Sequence, residues 1–217
     1  MNFKSIYQLL LLLTILSAFS MCSDKKETKM GKLPYLGRME FVKEADGTVT
    51  DTVYHTIADF RLLNQDSSFV TNETFEGKIY IADFFFTSCP DICPKMKAQM
   101  LRVYDSINTV QDVAILSYTI DPKHDTVAVL KEFAERLGVE SSKWHFVTGD
   151  KDEIYKLGQT SYLASMADDE GGTGITHSGK FFLIDKERRV RGAYEGTDPI
   201  SVNDLIRDIH VLLKEYQ

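Results

Sequence analysis

Two cysteines, Cys89 and Cys93, stand four residues apart in the stretch IYIADFFFTSCPDICPKMKAQ, which runs from Ile79 to Gln99. Residues four apart in the first turn of a helix face the same side, so the pair can share one ion or close a disulfide. A thiolate is both a nucleophile and a soft metal ligand. The partial positive charge and open N–H groups of a helix N-terminus lower a thiol pKa from about 8.5 toward roughly 3.5 to 7.5. Asp91, between the two cysteines, opposes that lowering. The bland alternative is a pair of unrelated core cysteines. With three cysteines in 217 residues, two at one strand-to-helix junction speak against it.

The elements that must position these thiols are legible on either side of them. Ile79 to Phe86 is a nearly continuous β-branched and aromatic run, the pattern of a strand covered on both faces of a parallel sheet. After Cys93, Pro94 suits a first helical turn, and Met96, Met100, Leu101 and Tyr104 recur at helical spacing. The cysteines therefore fall in the crevice outside the carboxyl end of a strand, where open α/β sheets place their ligands. Met96 and Met100 lie on the Cys93 side of that helix. Their thioethers are soft donors, but methionines at this spacing beside Leu101 and Tyr104 ordinarily fill a core.

From its start, the chain reads as an exported one. Lys4 precedes an apolar stretch, Ile6 to Phe19, too short for the roughly 18 to 20 residues of a spanning helix and typical of a signal sequence. Cys22 follows at once, then SDKKETK, so residues 1–22 look like a signal peptide ending in the acylated cysteine of a bacterial lipoprotein. An uncleaved anchor is the alternative, and Met21, where a small residue is usual, favours it. Both readings place the protein on a membrane, facing the periplasm or the cell exterior. With Cys22 set aside, an even pair of cysteines remains in an oxidising compartment, where a dithiol can become a disulfide. Residues 23–50 read as a tether with a short strand towards its end, and residues 51–217 as one domain with one core.

The net charge of −7 and the lack of a Lys/Arg cluster interleaved with aromatics exclude a nucleic-acid binder. Within the domain, His55 to Leu63 and Phe69 to Thr71 are expected as short strands around NQDSS. Val113 to Ile120 is a second apolar run, and Asp125 is expected to cap a helix with Val127, Leu130, Phe133, Ala134 and Leu137 on one face, stopped by Gly138. Then follow a strand from Trp144 to Val147, a helix from Asp150 to Tyr162, the glycine-rich connection DDEGGTG, and a strand pair, Lys180 to Asp185 and Val190 to Tyr194. Ser201-x-x-Asp204 resembles a capping box opening a last helix, Val202 to Tyr216. Strands alternating with helices predict an α/β fold, a mixed central sheet flanked by helices on both faces.

Four motifs, FFFTSCPDICPKM, SYTIDPKHDT, W-x-F-V-T-G from Trp144 to Gly149, and THSGKFFLID, closely resemble the Sco (SCO1/SenC) family. The resemblance covers the chain after about residue 50, and its most specific part is C-P-x-x-C-P with His177 far downstream. It implies a thioredoxin-like fold and a copper site made by Cys89, Cys93 and His177. It also implies delivery of copper to, or reduction of the cysteines of, the binuclear copper centre of cytochrome c oxidase subunit II, with another copper enzyme as the alternative acceptor. The donor chemistry agrees. Two thiolates and an imidazole suit Cu(I) and accommodate Cu(II), whereas structural zinc usually takes four protein ligands.

His177 is singled out by the resemblance, and His55, His124, His145 and His210 read as structural, His124 in its polar loop being the nearest substitute. Asp121 either orients a ligand or serves the turn before Pro122. The rival class is a membrane-tethered thiol-disulfide oxidoreductase. Asp83 lies six residues before Cys89, the offset at which thioredoxins carry a buried carboxylate that handles the proton of the second thiol. Thioredoxin-type enzymes also place a proline just before the strand facing their cysteines. None of Pro34, Pro90, Pro94, Pro122 and Pro199 precedes Phe181 to Ile184, and a histidine stands there instead, which favours a metallochaperone over an enzyme.

Overall fold

We describe residues 31–90, 92–165, 167–168, 175–176 and 179–217 of a computed structural model of the chain, with backbone alone for 167–168 and 175–176. In chain order the strands are β1 (Met39–Lys43), β2 (Val49–Tyr54), β3 (Arg61–Asn64), β4 (Phe69–Thr71), β5 (Ile79–Phe85), β6 (Val113–Thr119), β7 (Trp144–Thr148), β8 (Ala167–Asp168), β9 (Ile175–Thr176), β10 (Lys180–Ile184) and β11 (Val190–Glu195). The helices are α1 (Ile92–Ile107), α2 (Val127–Leu137), α3 (Lys151–Thr160) and α4 (Pro199–Glu215).

Seven strands form one mixed sheet in the order β11-β10-β5-β6-β7-β3-β4. The apolar runs of β5 and β6 explain their central place: every residue of both is buried, and they pair in parallel with β7 beyond them. β10 runs antiparallel to β5, with Phe182 opposite Ala82 and Ile184 opposite Tyr80. The start of β10 therefore lies at the sheet edge where β5 ends. Alternate residues of β5 feed two cores. Ile79, Ile81 and Phe85 pack with Met96, Met100 and Val103 of α1, Leu130 of α2 and Leu205 of α4. Tyr80, Ala82 and Phe84 pack with Ile154 and Leu157 of α3, with Ile57 and Phe60 closing that side. Helices thus cover both faces, as expected, and Met96 and Met100 are core residues.

Several boundaries differ from expectation. The first strand of the domain's sheet is only Arg61–Asn64, because Ile57 and Phe60 reach the core from irregular chain. Thr126, not Asp125, caps α2, its side chain accepting from the Val129 N–H. The last helix opens at Asp198, which accepts from the N–H groups of Ile200 and Ser201, with Pro199 in its first turn. Ser201 instead accepts from the Glu195 N–H at 2.8 Å.

Structure extends into the stretch expected as tether. β1 and β2 pair antiparallel as a separate hairpin. Arg191, 1% exposed, donates to the carbonyls of Leu33 and Pro34 and to Glu215, while the Leu33 N–H donates to Glu215 at 2.7 Å. The DDEGGTG stretch lies mostly outside the described residues; β8 and β9 pair antiparallel around it. No helix among the described residues is long and apolar enough to cross a membrane, and the apolar stretch and Cys22 lie outside them.

Candidate functional site

β5 ends at Phe85, and the chain turns through Phe86–Pro90 before α1 begins at Ile92. The Cys89 N–H donates to the Phe86 carbonyl at 3.3 Å. Cys93, in the first turn of α1, is buried, and Cys89 is half-buried. The two are thiols, not a disulfide, and their side chains share a hydrogen bond. Burial pushes the Cys93 thiol up to about 12; the Phe86 backbone opposes this, the Cys89 neighbour adds to it, and the Lys97 charge pulls it down. The lowering expected of a helix N-terminus is outweighed at Cys93, because its thiol points into the core rather than along the helix end into water.

The cysteine turn is fastened from across the sheet. Asp125, fully buried, accepts from the Thr87 N–H at 3.0 Å and from the Thr87 and Thr119 hydroxyls. Its carboxylate therefore ties the residue two before Cys89 to the end of β6, the duty it performs in place of a helix cap. Sequence reasoning missed this because the partners are 38 residues apart. Asp121 makes the turn: its carbonyl accepts from the His124 and Asp125 N–H groups, and its N–H donates to Thr119.

Asp83 is fully buried on β5, and both its oxygens are engaged. Lys97 donates to Oδ2 at 2.7 Å and the Ser117 hydroxyl donates to Oδ1. The Trp144 indole N–H donates to the same hydroxyl at 2.8 Å. Lys97 is itself 4% exposed and lies over the Phe85 ring, 4.1 Å from its centroid. It was absent from the sequence reading, because a lysine on an amphipathic helix ordinarily faces water. The available signal was its spacing of four from Cys93.

Both cysteines open into a pocket of about 310 Å³, with Phe86, Pro94, Lys97, Leu101 and Phe133 among its other walls. His177 lies outside the described residues, and among those described no cluster of three His, Cys, Asp or Glu side chains is poised for a metal. His55 bonds the Ser161 carbonyl at 2.8 Å, His145 packs edge-on to Phe75, and His124 and His210 are exposed. Two adjacent sulfur donors suit a soft cation such as Cu(I), and they equally suit thiol-disulfide exchange.

The family model described as SCO1/SenC matches residues 48–214. The SCO1 protein homolog of Bacillus subtilis (strain 168) is 31% identical over 163 residues, which are 74% of this chain and 84% of that one. Among solved structures, a SCO1/SenC family lipoprotein from Bacillus anthracis str. Ames aligns with a TM-score of 0.67 at 29% identity, covering 73% of this chain and 95% of that one. Arabidopsis thaliana ScoI, solved with copper bound, aligns with a TM-score of 0.59 at 26% identity, covering 70% and 97%. The fold is the thioredoxin-like one of these neighbours.

Proposed function

Because the chain belongs to the SCO1/SenC family, we propose that it carries copper on Cys89, Cys93 and His177 and serves the binuclear copper centre of cytochrome c oxidase, by delivering the metal or by reducing the centre's cysteines. The observation that carries this reading is the contact between two thiols at the mouth of a pocket, at the carboxyl end of the central strand. Two features support His177 as the third ligand. β10 begins at the sheet edge where β5 ends, so Gly179 and Lys180 lie at the cysteine end. Gly179, two residues past His177, adopts φ +59°, and a Cβ there would stand 3.5 Å from Ile92, the neighbour of Cys93.

In this reading both thiols lose their protons as copper binds, which burial makes harder at Cys93 than in water. Cys89, the more exposed of the two, is where an acceptor's thiolate arrives first, and ligand exchange then passes the cargo on. The same asymmetry supports the second reading, reduction of a partner disulfide. The Cys89 thiolate attacks one partner sulfur, breaking the partner S–S bond and leaving a mixed disulfide. Cys93 then attacks the Cys89 sulfur, releasing the second partner thiol and leaving a Cys89–Cys93 disulfide. Asp83 is the proton acceptor to test in that cycle.

Copper titration of the reduced full-length chain tests the proposal. One copper per wild-type chain is expected, with loss on Cys89→Ser or Cys93→Ser and strongly weakened affinity on His177→Ala. Equal retention by Cys89→Ser would overturn it. Delivery as the main role predicts that His177→Ala still reduces a model disulfide at the wild-type rate. Reduction as the main role predicts that Asp83→Asn slows exchange while His177→Ala binds copper normally.

A further inference from the structure

The pocket beside the dithiol is more apolar than copper chemistry requires. Its walls include Pro94, Ala98 and Leu101 of α1, Phe133 and Leu137 of α2, and Phe86 of the cysteine turn. Phe86, Leu101, Phe133 and Leu137 pack against the core between α1 and the sheet, yet each stays only half-buried. Phe133 is backed by the Phe85 ring, stacked on it at 5.5 Å, and by Phe146, edge-on at 5.5 Å, so this wall is formed before anything binds. Apolar side chains gathered around an opening mark a place where something docks.

The two other polar side chains of the wall have their donors committed inside the protein. Lys97 donates to Asp83 at 2.7 Å, with Ser117 at 3.4 Å, and the Thr87 N–H and hydroxyl both go to Asp125. Apart from the thiols, an anion finds no side-chain donor here, and burying an unpaired charge is costly. The volume of about 310 Å³ stands at the small end of ligand pockets, which run from about 300 to 1,000 Å³. It suits one bulky side chain, not a cofactor or the face of a helix. We propose that this is the specificity pocket of the dithiol, taking one aromatic or large aliphatic side chain that stands next to the reacting cysteine of the acceptor polypeptide. Both sulfurs belong to the same wall, so a partner cysteine that reaches Cys89 brings its own neighbours to the opening. This rests on the reading above in one respect, that what meets Cys89 is a cysteine of another protein.

The test uses two probes that differ only in the residue next to the cysteine, the symmetric disulfides of N-acetyl-Cys-Phe-amide and N-acetyl-Cys-Gly-amide. The reduced, metal-free, full-length chain carries Cys22→Ser so that only the pair reacts. Cys89 forms a mixed disulfide and releases one probe thiol; Cys93 then displaces the second, so two electrons pass to the probe and a Cys89–Cys93 disulfide remains. The ratio of Phe-probe to Gly-probe rates, divided by the same ratio for dithiothreitol, removes the reactivity of the thiols and of the probes themselves. A value of about ten is expected, the discrimination that one apolar group gives in a fitted pocket. Ala98→Trp, at an exposed position of α1, fills part of the opening, and Leu101→Asn puts an amide into its wall; each is expected to bring the value close to one. A value near one in wild type, or an unchanged value in both variants, overturns the proposal. So does a wild-type dimer in sedimentation that Ala98→Trp abolishes, because the occupant is then a second copy of this chain. Preference for the Phe probe in a chain that binds no copper overturns the copper reading and leaves the pocket standing, whereas His177-dependent copper binding without that preference does the reverse.

Discussion

Burial, more than neighbouring charge, sets the protonation of the two most perturbed groups near neutrality. It raises the Cys93 thiol to about 12, and with help from Lys78 it lowers His145 to about 4. Sequence could place Cys93 at a helix start, where a lowered pKa is the ordinary expectation, but not on the inward face of the turn. His145 gives a pH signature. Its ring is edge-on to Phe75 at 5.6 Å, and its Nδ1 has no hydrogen-bond partner among the described residues. The native state holds the ring neutral while the unfolded chain begins to bind a proton near pH 6.5, so stability is full above that value and is lost as pH falls toward 4. Urea unfolding of wild type and His145→Phe at pH 7 and pH 4.5 should differ in pH dependence by about 2 kcal/mol. Parallel pH dependence in the two proteins would contradict this. Asp83 and Lys97 were unequally legible for the same reason: the offset of Asp83 from Cys89 marks it, whereas the burial of Lys97 depends on Trp144 and Ser117, strands away.

Elements were read well where periodicity runs long and poorly where a single side chain decides the boundary. β5, β6, α1 and α3 stand within a few residues of expectation, because continuous apolar runs and 3.6-residue faces persist against local noise. Asp125 and Ser201 were assigned as caps from local spacing, and in the fold each is claimed by a tertiary partner while Thr126 and Asp198 do the capping. The Asp125 network is what holds the cysteine turn to β6. Asp125→Ala removes the acceptor of three hydrogen bonds, two of them from Thr87, and leaves buried donors unmet. The expected cost is about 2–4 kcal/mol of stability, with faster hydrogen exchange at the Thr87 amide. An unchanged exchange rate there would show that the turn holds itself without Asp125.

At the scale of the whole molecule, alternation of strands and helices gave a mixed sheet with two covered faces, but strand order is fixed by long-range pairing that no local pattern encodes. The antiparallel insertion of β10 beside β5 is the decisive case, since it brings Gly179 and Lys180 to the cysteine end. The beginning of the domain is likewise set from afar. Arg191, drawn inside by Asp185 and Glu215, holds the carbonyls of Leu33 and Pro34, so the ordered domain is engaged within a dozen residues of Cys22. In the lipoprotein reading, the stretch between an acylated Cys22 and Leu33 is the whole tether of the domain to the membrane. The prediction is that the native protein begins at a lipid-modified Cys22 and partitions with membranes, and that Cys22→Ser leaves an unmodified chain with the same copper stoichiometry in solution. Stable anchoring would take two acyl chains, since a single chain holds a protein to a membrane only marginally. Mass spectrometry of the membrane fraction decides it: an intact N-terminus at Met1 with unmodified Cys22 would replace the lipid anchor by an uncleaved apolar segment.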